Sequence, residues 1–287
     1  MVVEQIKNLA ILGVGLLGGS IGLAVRSKLT DCKVVGYGHR AETLQRAIEV
    51  GAIEEGFTSA AQAVASADLV VLCTPVGLLG RMIDEIAPAL KPTAIVTDVG
   101  STKRSVVQAG QALKRFVGSH PMAGSEKRGV EFARTDLFEG ALCIITPTDM
   151  TDRGAVDSVE QFWQTVGMRV TRLSPEDHDR DLAFVSHLPH ALAAALVAIQ
   201  KDEALALSGK GFLDTTRIAG GDGALWRDIL QDNRDSMKVA LARLRTELDT
   251  LEAMLEPENA ERLTVWLNAA AKRREDLVAQ RLQQGTE

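Results

Sequence analysis

Short apolar runs recur along the first part of the chain, and stretches with helical periodicity separate them. Most of these runs are continuously apolar rather than alternating, which is typical of parallel strands covered on both faces. The predicted strands cover residues 9–12, 33–37, 69–73, 95–98, 116–118, 142–145 and 168–173. Between two of them, Met82, Ile83 and Ile86 fall on one face of a predicted helix. This alternation predicts a doubly wound α/β domain over residues 1–173.

The pattern changes after residue 173, where no further strand is predicted. Ser174, Pro175 and Glu176 form a strong helix start, with a capping hydroxyl, a proline at the first position and an acid in the first turn. Pro189 is expected to kink or restart that helix. The sequence therefore predicts an all-helical second domain over residues 174–287.

A regular apolar seam marks one helix of this second domain. Its members are Met237, Leu241, Leu244, Leu248, Leu251 and Leu255, at spacings of 4, 3, 4, 3 and 4. Such a seam is typical of helix packed against helix. The spacing does not distinguish an intramolecular bundle from a dimer interface.

Composition adds limits on the partners. Of 287 residues, 46% are hydrophobic and 24% charged, as in an ordinary folded protein. The net charge of −6 argues against a nucleic-acid partner, because such partners are held through cationic contacts to phosphates. It leaves room for a local basic pocket that binds an acidic small molecule.

The cysteines and the lack of an export signal favour the cytoplasm. Cys32, Cys73 and Cys143 are scattered and odd in number, which suits a reducing compartment, and they match no zinc spacing, so no metal is expected. The N-terminus lacks the order of a signal peptide. The longest apolar stretch, residues 191–199, is shorter than the roughly 20 residues that cross a bilayer, so no membrane association is expected.

The glycine-rich segment GVGLLG directly follows the first predicted strand and opens a helix. This is G-x-G-x-x-G in the position where it binds the pyrophosphate of a dinucleotide. The helix N-terminus adds free N–H groups and a positive partial charge. The predicted cofactor-binding residues are Gly13, Gly15, Leu16, Leu17 and Gly18.

The end of the second strand bears on the choice of dinucleotide. NAD-specific sites usually carry an acid there for the ribose 2′-hydroxyl. This chain has Gly38, His39 and Arg40 instead. Arg40, helped by His39, suits a 2′-phosphate, so NADP is favoured over NAD. A solvated Arg40 in the first turn of the next helix is the open alternative.

Polar residues concentrate in segments at predicted strand or helix ends, where ligands bind doubly wound sheets. The segments are residues 97–103, 118–127, 186–190, 211–217 and 226–228. His120 follows a strand, and a neutral imidazole is well suited to accept a hydroxyl proton near neutral pH. Arg217 carries a guanidinium that can grip a carboxylate through two hydrogen bonds.

The order of these motifs resembles the prephenate/arogenate dehydrogenase family of tyrosine biosynthesis. The matching pieces, in order, are GVGLLGGS, TDVGS-x-K, GSHPMAGSEKRG, SHLPH and GF-x-D-x-TRIA. Each piece alone is weak, whereas the set is specific and runs from Gly13 to about Asp228. The resemblance implies a Rossmann-type domain and a helical dimerisation domain, and hence a homodimer whose partner helps to build the active site.

The resemblance also implies a reaction on a small carboxylate substrate, prephenate or arogenate. Hydride leaves C4 of a cyclohexadiene ring for the nicotinamide, the 4-hydroxyl proton is removed, and the ring carboxylate departs as CO2. The ring becomes aromatic, which makes the step effectively irreversible. The sequence leaves open which of the two substrates is used.

The family's site residues map onto single positions. His120 matches the catalytic histidine, and Ser101 matches the serine that hydrogen-bonds it. Arg217 matches the substrate-binding arginine, and Asp214, three residues earlier, is expected to orient it or to form a structural ion pair with it. Glu126 matches a glutamate of prephenate-using members, with a surface residue in a charged loop as the alternative.

The remaining candidates lie around the same pocket. His187 and His190 share one helix face and are implied at the substrate and cofactor pocket. His190 is the stronger candidate for ligand contact, and a structural interior histidine is an equal interpretation for His187. Thr74 and Pro75, at the end of a strand, are expected against the cofactor.

Three competing classes are weighed against this one. A β-hydroxyacid dehydrogenase would carry G-x-x-x-K-x-x-N, which the chain lacks. A non-catalytic dinucleotide-binding regulator would keep the glycine loop without needing Ser101, His120 and Arg217 together. A metal-dependent hydrolase would require a bound metal.

Overall fold

The computed structural model describes residues 6–125 and 127–283, with side chains through residue 281. The described chain contains a mixed sheet flanked by helices, followed by a helical region. The strands are β1 Asn8–Leu12, β2 Lys33–Tyr37, β3 Glu55–Phe57, β4 Leu69–Leu72, β5 Ile95–Asp98, β6 Phe116–Pro121, β7 Leu142–Thr146 and β8 Arg169–Arg172. The helices between the strands are α1 Leu16–Lys28, α2 Ala41–Glu49, α3 Ala60–Val64, α4 Val76–Ile86, α5 Arg104–Gly110 and α6 Arg153–Thr165. The later helices are α7 Pro175–Leu182, α8 Leu188–Ala198, α9 Asp202–Leu205, α10 Lys210–Thr216, α11 Gly223–Asp232, α12 Arg234–Ala253 and α13 Ala260–Gln283.

The strand order is β3-β2-β1-β4-β5-β6-β7-β8. All neighbouring strands are parallel except β6 and β7, which pair antiparallel. The order reverses between β1 and β4, and a doubly wound sheet opens its ligand crevice at the carboxyl ends of the strands at such a point. Every predicted strand is present, and β3 is an additional one.

The continuously apolar strands are explained by helices on both faces of the sheet. Along β1, Leu9 and Ile11 belong to one buried cluster, whereas Ala10 and Leu12 belong to the other. Successive residues of a strand point to opposite faces, so one apolar run fills two cores. The predicted doubly wound arrangement is thereby confirmed.

The helical region begins as predicted. The Ser174 hydroxyl accepts a hydrogen bond from the Asp177 amide and caps α7, and Pro175 occupies the first turn. A π-helical turn, Ala183–His187, joins α7 to α8 directly before Pro189. Proline has no backbone N–H to donate, and its ring crowds the preceding turn. Both effects account for the widened turn at this point.

The combined run Pro175–Ala198 is long and apolar enough to cross a membrane by length and composition alone. The expectation from the sequence rested on the shorter apolar stretch 191–199. The same run contains His178, Asp179 and His187, which are fully or almost fully buried and hydrogen-bonded to groups of the sheet and its helices. These three residues pack in the core of the unit that contains the sheet, and 33% of the apolar window as a whole is buried.

The chain forms two compact units, with the division after Asn233. The first unit contains the sheet and α1–α11, and the second contains α12 and α13. The domain boundary predicted after residue 173 coincides with the end of the last strand, β8, at Arg172. On α12, Met237 of the predicted seam is buried and Leu248 is 50% exposed, whereas Leu255, 65% exposed, lies beyond the end of that helix.

Candidate functional site

A cavity of about 690 Å³ lies at the carboxyl ends of the central strands in the first unit. Its walls come from the glycine loop after β1, the loops after β4 and β5, the loop after β6, and the helical region. Predicted site residues on these walls are Gly15, Leu16, Leu17, Gly18, Thr74, Pro75, Ser101, His190 and Arg217. Segments far apart in sequence therefore meet around one volume of a size suited to small ligands.

The glycine loop fits a dinucleotide phosphate. Gly13 has φ +109°, and a Cβ there would lie 2.7 Å from the Cys73 carbonyl oxygen. A Cβ on Gly18 would lie 2.1 Å from the Gly13 carbonyl oxygen, so the helix can pack against the strand only without a side chain. Gly15 precedes the first turn of α1, has no side-chain cap and faces open space. Backbone N–H groups at such a terminus bind phosphates.

The residues after β2 lie outside this cavity wall. His39 and Arg40 are exposed, and Arg40 is the residue that precedes α2. Neither side chain has a hydrogen bond or ion pair within residues 6–125 and 127–283. The Arg40 guanidinium is therefore available to an anionic ligand.

His120 is almost fully buried, with 7% of its surface exposed. It lies on β6, where the antiparallel register pairs it with Ile144. Its Nδ1 lies 2.9 Å from Nε2 of His178, and the two rings are tilted by 57°. Burial lowers the pKa of His120 well below 6.5, and the nearby His178, Lys103 and His187 add to this. His120 is therefore neutral at pH 7, the form that accepts a proton.

Ser101 lines the cavity, but it is not hydrogen-bonded to His120 within the described part of the chain. The resemblance implied that bond. In the structure His178 engages Nδ1 of His120, because β6 brings the His120 ring against α7. The role of Ser101 remains a proposal.

A buried ion pair fixes the loops that carry Ser101 and His120. The Lys103 Nζ donates to Asp98 Oδ2 at 2.6 Å, and both side chains are fully buried. The same carboxylate accepts the amides of Gly100 at 2.7 Å and Ser119 at 3.0 Å. A buried charge pair is tolerated when its remaining lone pairs are satisfied in this way. Lys103 is thus a structural cation that holds the loops of the site in place.

Asp179 connects α7 to the first turn of α5. Its carboxylate accepts the Lys103 amide at 2.7 Å, the Arg104 amide at 3.0 Å and the Arg104 Nε at 3.2 Å. It also lies 2.9 Å from Nδ1 of His178. Burial raises the pKa of the Asp179 carboxyl, but the hydrogen bonds from His178 and from the two amides outweigh it, and the net shift is downward.

His178 and Asp179 were not predicted as site residues from the sequence. Their only local signal is an acidic helix start, which is typical of a solvated first turn. His178 lies 58 positions from His120, so only the packing of α7 against the sheet brings the two together. Trp226 was also missed as an individual site residue, although the segment around it was singled out.

The two histidines of the SHLPH motif differ in their surroundings. His190 lines the cavity and stacks on Trp226, with ring centroids 3.4 Å apart and planes 12° from parallel. Burial lowers its pKa. His187 is fully buried, lies 3.2 Å from the Asn233 amide nitrogen, and has its pKa lowered to about 4, mainly by burial. His187 therefore stays neutral inside the fold, and His190 is the one that faces the cavity.

Cations surround the cavity mouth. Lys127, Arg128 and Arg217 all line it, and Arg128 pairs with Asp222. Arg217 is exposed and follows α10 directly, while Asp214 is exposed and forms no ion pair with it within residues 6–125 and 127–283. The expected orienting contact is therefore not made. The predicted residue Glu126 lies outside the described residues.

Comparison with known proteins agrees with the geometry. The family model described as prephenate dehydrogenase, nucleotide-binding domain, matches residues 21–172, and the one described as prephenate dehydrogenase, dimerization domain, matches residues 174–269. Prephenate dehydrogenase of Bacillus subtilis is 36% identical over 96% of this chain and 77% of its own length. Cyclohexadienyl dehydrogenase of Zymomonas mobilis is 31% identical over 93% of this chain and 95% of its own length.

A solved structure is also similar along almost its whole length. The prephenate dehydrogenase of Aquifex aeolicus, crystallised with hydroxyphenyl propionate and NAD+, is 36% identical, with a TM-score of 0.90. The match covers 95% of this chain and 99% of that one. Since both family models and near full-length relatives match, this chain belongs to the prephenate dehydrogenase family of NAD(P)-binding oxidoreductases.

Proposed function

We propose that this enzyme converts prephenate, NAD(P)+ being the oxidant, into 4-hydroxyphenylpyruvate and CO2. The observation that carries the proposal is a neutral, buried His120 near the end of β6, whose following loop lines a cavity together with the phosphate-binding glycine loop and Arg217. An alcohol oxidation needs a proton acceptor, and a dicarboxylate substrate needs cations. Both needs are met around one volume.

The glycine loop, α1 and the Thr74-Pro75 turn would hold the dinucleotide, whose nicotinamide supplies the hydride acceptor. His120 takes the 4-hydroxyl proton as the C4–O bond gains double-bond character. Loss of the ring carboxylate as CO2 then returns an electron pair to that oxygen, and the proton goes back to it as the phenol forms. Arg217 holds a substrate carboxylate, and Ser101 and His190 complete the wall around the ring.

Steady-state rates with prephenate and arogenate, each against NAD+ and NADP+, test this proposal. We expect turnover of prephenate, with 4-hydroxyphenylpyruvate as the product. A chain that turns over arogenate alone would move the assignment to arogenate dehydrogenase, in which the side chain carries an amine instead of a ketone. We infer a cytoplasmic location from this biosynthetic role.

We propose NADP+ as the preferred cofactor, because Arg40 is exposed, unpaired in the described chain and placed directly after β2. Arg40→Gln removes one charged hydrogen bond to the 2′-phosphate. We expect the Kd of NADP+ to rise about 10- to 100-fold, the range of a hydrogen bond to a charged group. The Kd of NAD+ should hardly respond. Binding titrations with both cofactors measure this.

Arg46→Gln is the matched control, because Arg46 is an exposed arginine of the same helix that pairs with Glu49. It should leave both cofactor affinities unchanged. A wild-type preference for NAD+, or equal losses with both cofactors in Arg40→Gln, would show that Arg40 is only a solvated helix residue.

We propose that the chain works as a homodimer through its helical region, with the partner completing the site. The second unit leaves large apolar side chains in solvent, and such exposure marks an association surface. These side chains are Val239, Leu248, Leu255, Val265, Leu267 and Leu277. An obligate interface of this kind buries about 2,000 Å² or more.

Opposite charges on the seam should abolish assembly. Leu244→Glu with Leu248→Lys is expected to give a monomer of 30.8 kDa that still binds cofactor, because charges are costly in an apolar interface. Thr246→Glu with Thr250→Lys, on another face of α12, should stay dimeric. Light scattering measures both. A wild type that is monomeric at micromolar concentration would refute the dimer.

A further inference from the structure

The proposed base is one end of a buried chain of three polar side chains. Asp179 Oδ1 lies 2.9 Å from His178 Nδ1, and His178 Nε2 lies 2.9 Å from His120 Nδ1. All three side chains are buried, and they come from β6 and α7. The sequence motifs of the family resemblance include only one of these residues, His120.

The direction of the hydrogen bonds in this chain follows from Asp179. Its carboxylate already accepts two backbone amides and the Arg104 guanidinium, so it is ionised and can only accept. His178 must therefore donate from Nδ1. Burial lowers the pKa of His178, against the opposing hydrogen bond from Asp179, so the ring is neutral and its Nε2 carries a lone pair.

The direction of the bond between His178 and His120 follows from the state of His178. Because His178 Nε2 is an acceptor, His120 must donate from Nδ1. The His120 ring is neutral, so its own Nε2 carries a free lone pair. Within residues 6–125 and 127–283, no hydrogen bond engages that nitrogen. It is therefore the atom left to accept a proton.

We infer that His178 and Asp179 are positioning residues that fix His120 in the Nδ1-protonated tautomer and stabilise its charge when it takes the substrate proton. In many enzymes a carboxylate orients a catalytic histidine directly, and here the His178 imidazole lies between the two. The buried Lys103 cation disfavours a positive charge on His120. Asp179, which is linked to His120 through His178, supplies the compensating negative charge. The kinetic consequence rests on the proposed function, whereas the tautomer does not.

The tautomer is measured directly by long-range ¹H–¹⁵N spectra of the histidine-labelled protein without substrate or cofactor. The chain has only five histidines, so the His120 signals are those that vanish in His120→Gln. We expect a protonated Nδ1 and an unprotonated Nε2. A wild-type His120 protonated on Nε2 would overturn the inference, whatever any variant does.

Asp179→Asn tests the consequence, because it removes the negative charge that would stabilise a protonated His120 through His178. We expect kcat to fall about 10²- to 10⁴-fold. KM for prephenate and cofactor affinity should change little. Asp181→Asn, on the same helix with its carboxylate paired to Arg180 at the surface, is the matched control and should keep wild-type kcat.

The outcomes separate cleanly. A folded Asp179→Asn protein with near-normal kcat would contradict the inference. If the variant does not fold, the wild-type spectrum alone decides. If the wild type has the expected tautomer but does not oxidise prephenate, the proposed function fails and the positioning role in that reaction fails with it, while the hydrogen-bond directions stand.

Discussion

His120→Ala is expected to lower kcat by about 10²- to 10⁴-fold, the usual contribution of a positioned general base. The affinity for cofactor should barely change, because the substitution leaves the glycine loop on the cavity wall intact. His39→Ala, which replaces an exposed histidine, should keep kcat at saturating cofactor. A His120→Ala enzyme with near-normal kcat would remove the residue from the mechanism.

The same assignment fixes the acid limb of the pH profile. Only neutral His120 accepts a proton, and burial together with His178, Lys103 and His187 lowers its pKa well below 6.5. The neutral form therefore persists as the pH falls through 6.5, and kcat/KM should be lost only at lower pH. An acid limb centred above pH 6.5 would contradict this environment.

Lys103→Met is expected to lower the free energy of unfolding by about 3–5 kcal/mol, because it leaves the fully buried Asp98 carboxylate without its cation. Lys91→Met is the matched control, since Lys91 pairs with Asp68 at 2.9 Å but both side chains are partly exposed. That pair should contribute about 1 kcal/mol or less. Urea unfolding followed by circular dichroism measures both losses.

A double variant isolates the cause of the Lys103 effect. Lys103→Met with Asp98→Asn removes the buried charge and keeps an acceptor for one of the two amides, Gly100 and Ser119, which bond to different oxygens of Asp98. It should therefore lose less stability than Lys103→Met alone. Equal losses for Lys103→Met and Lys91→Met would mean that the buried pair contributes no more than a surface one.

Sequence periodicity predicted the sheet because buried parallel strands need continuous apolar runs. It missed β3, Glu55–Phe57, because three residues around a glycine carry no periodic signal. It predicted a disturbance at Pro189 but not its form, a π-helical turn. A proline disturbs the helix at a position that the sequence gives. The form of the disturbance depends on the side chains that pack around the helix.

The site was predictable where chemistry depends on a local motif. The glycine loop and Arg217 occupy the cavity wall, as their patterns indicated. The partners of His120 were not predictable, because His178 and Asp179 look like a solvated helix start until α7 packs on β6. Lys103 has no local signal of burial either, since its pairing with Asp98 depends on the loop between β5 and α5.

The most direct test of the proposed reaction uses prephenate that carries deuterium at C4. If His120 and the cavity perform an oxidative decarboxylation, each turnover should give one reduced cofactor that carries the deuterium, one CO2 and one 4-hydroxyphenylpyruvate. Mass spectrometry of the cofactor, the CO2 and the aromatic product gives the amount of each formed per prephenate consumed. Formation of phenylpyruvate by loss of water and CO2 without cofactor reduction, or a bound cofactor with no turnover of prephenate, would contradict the account.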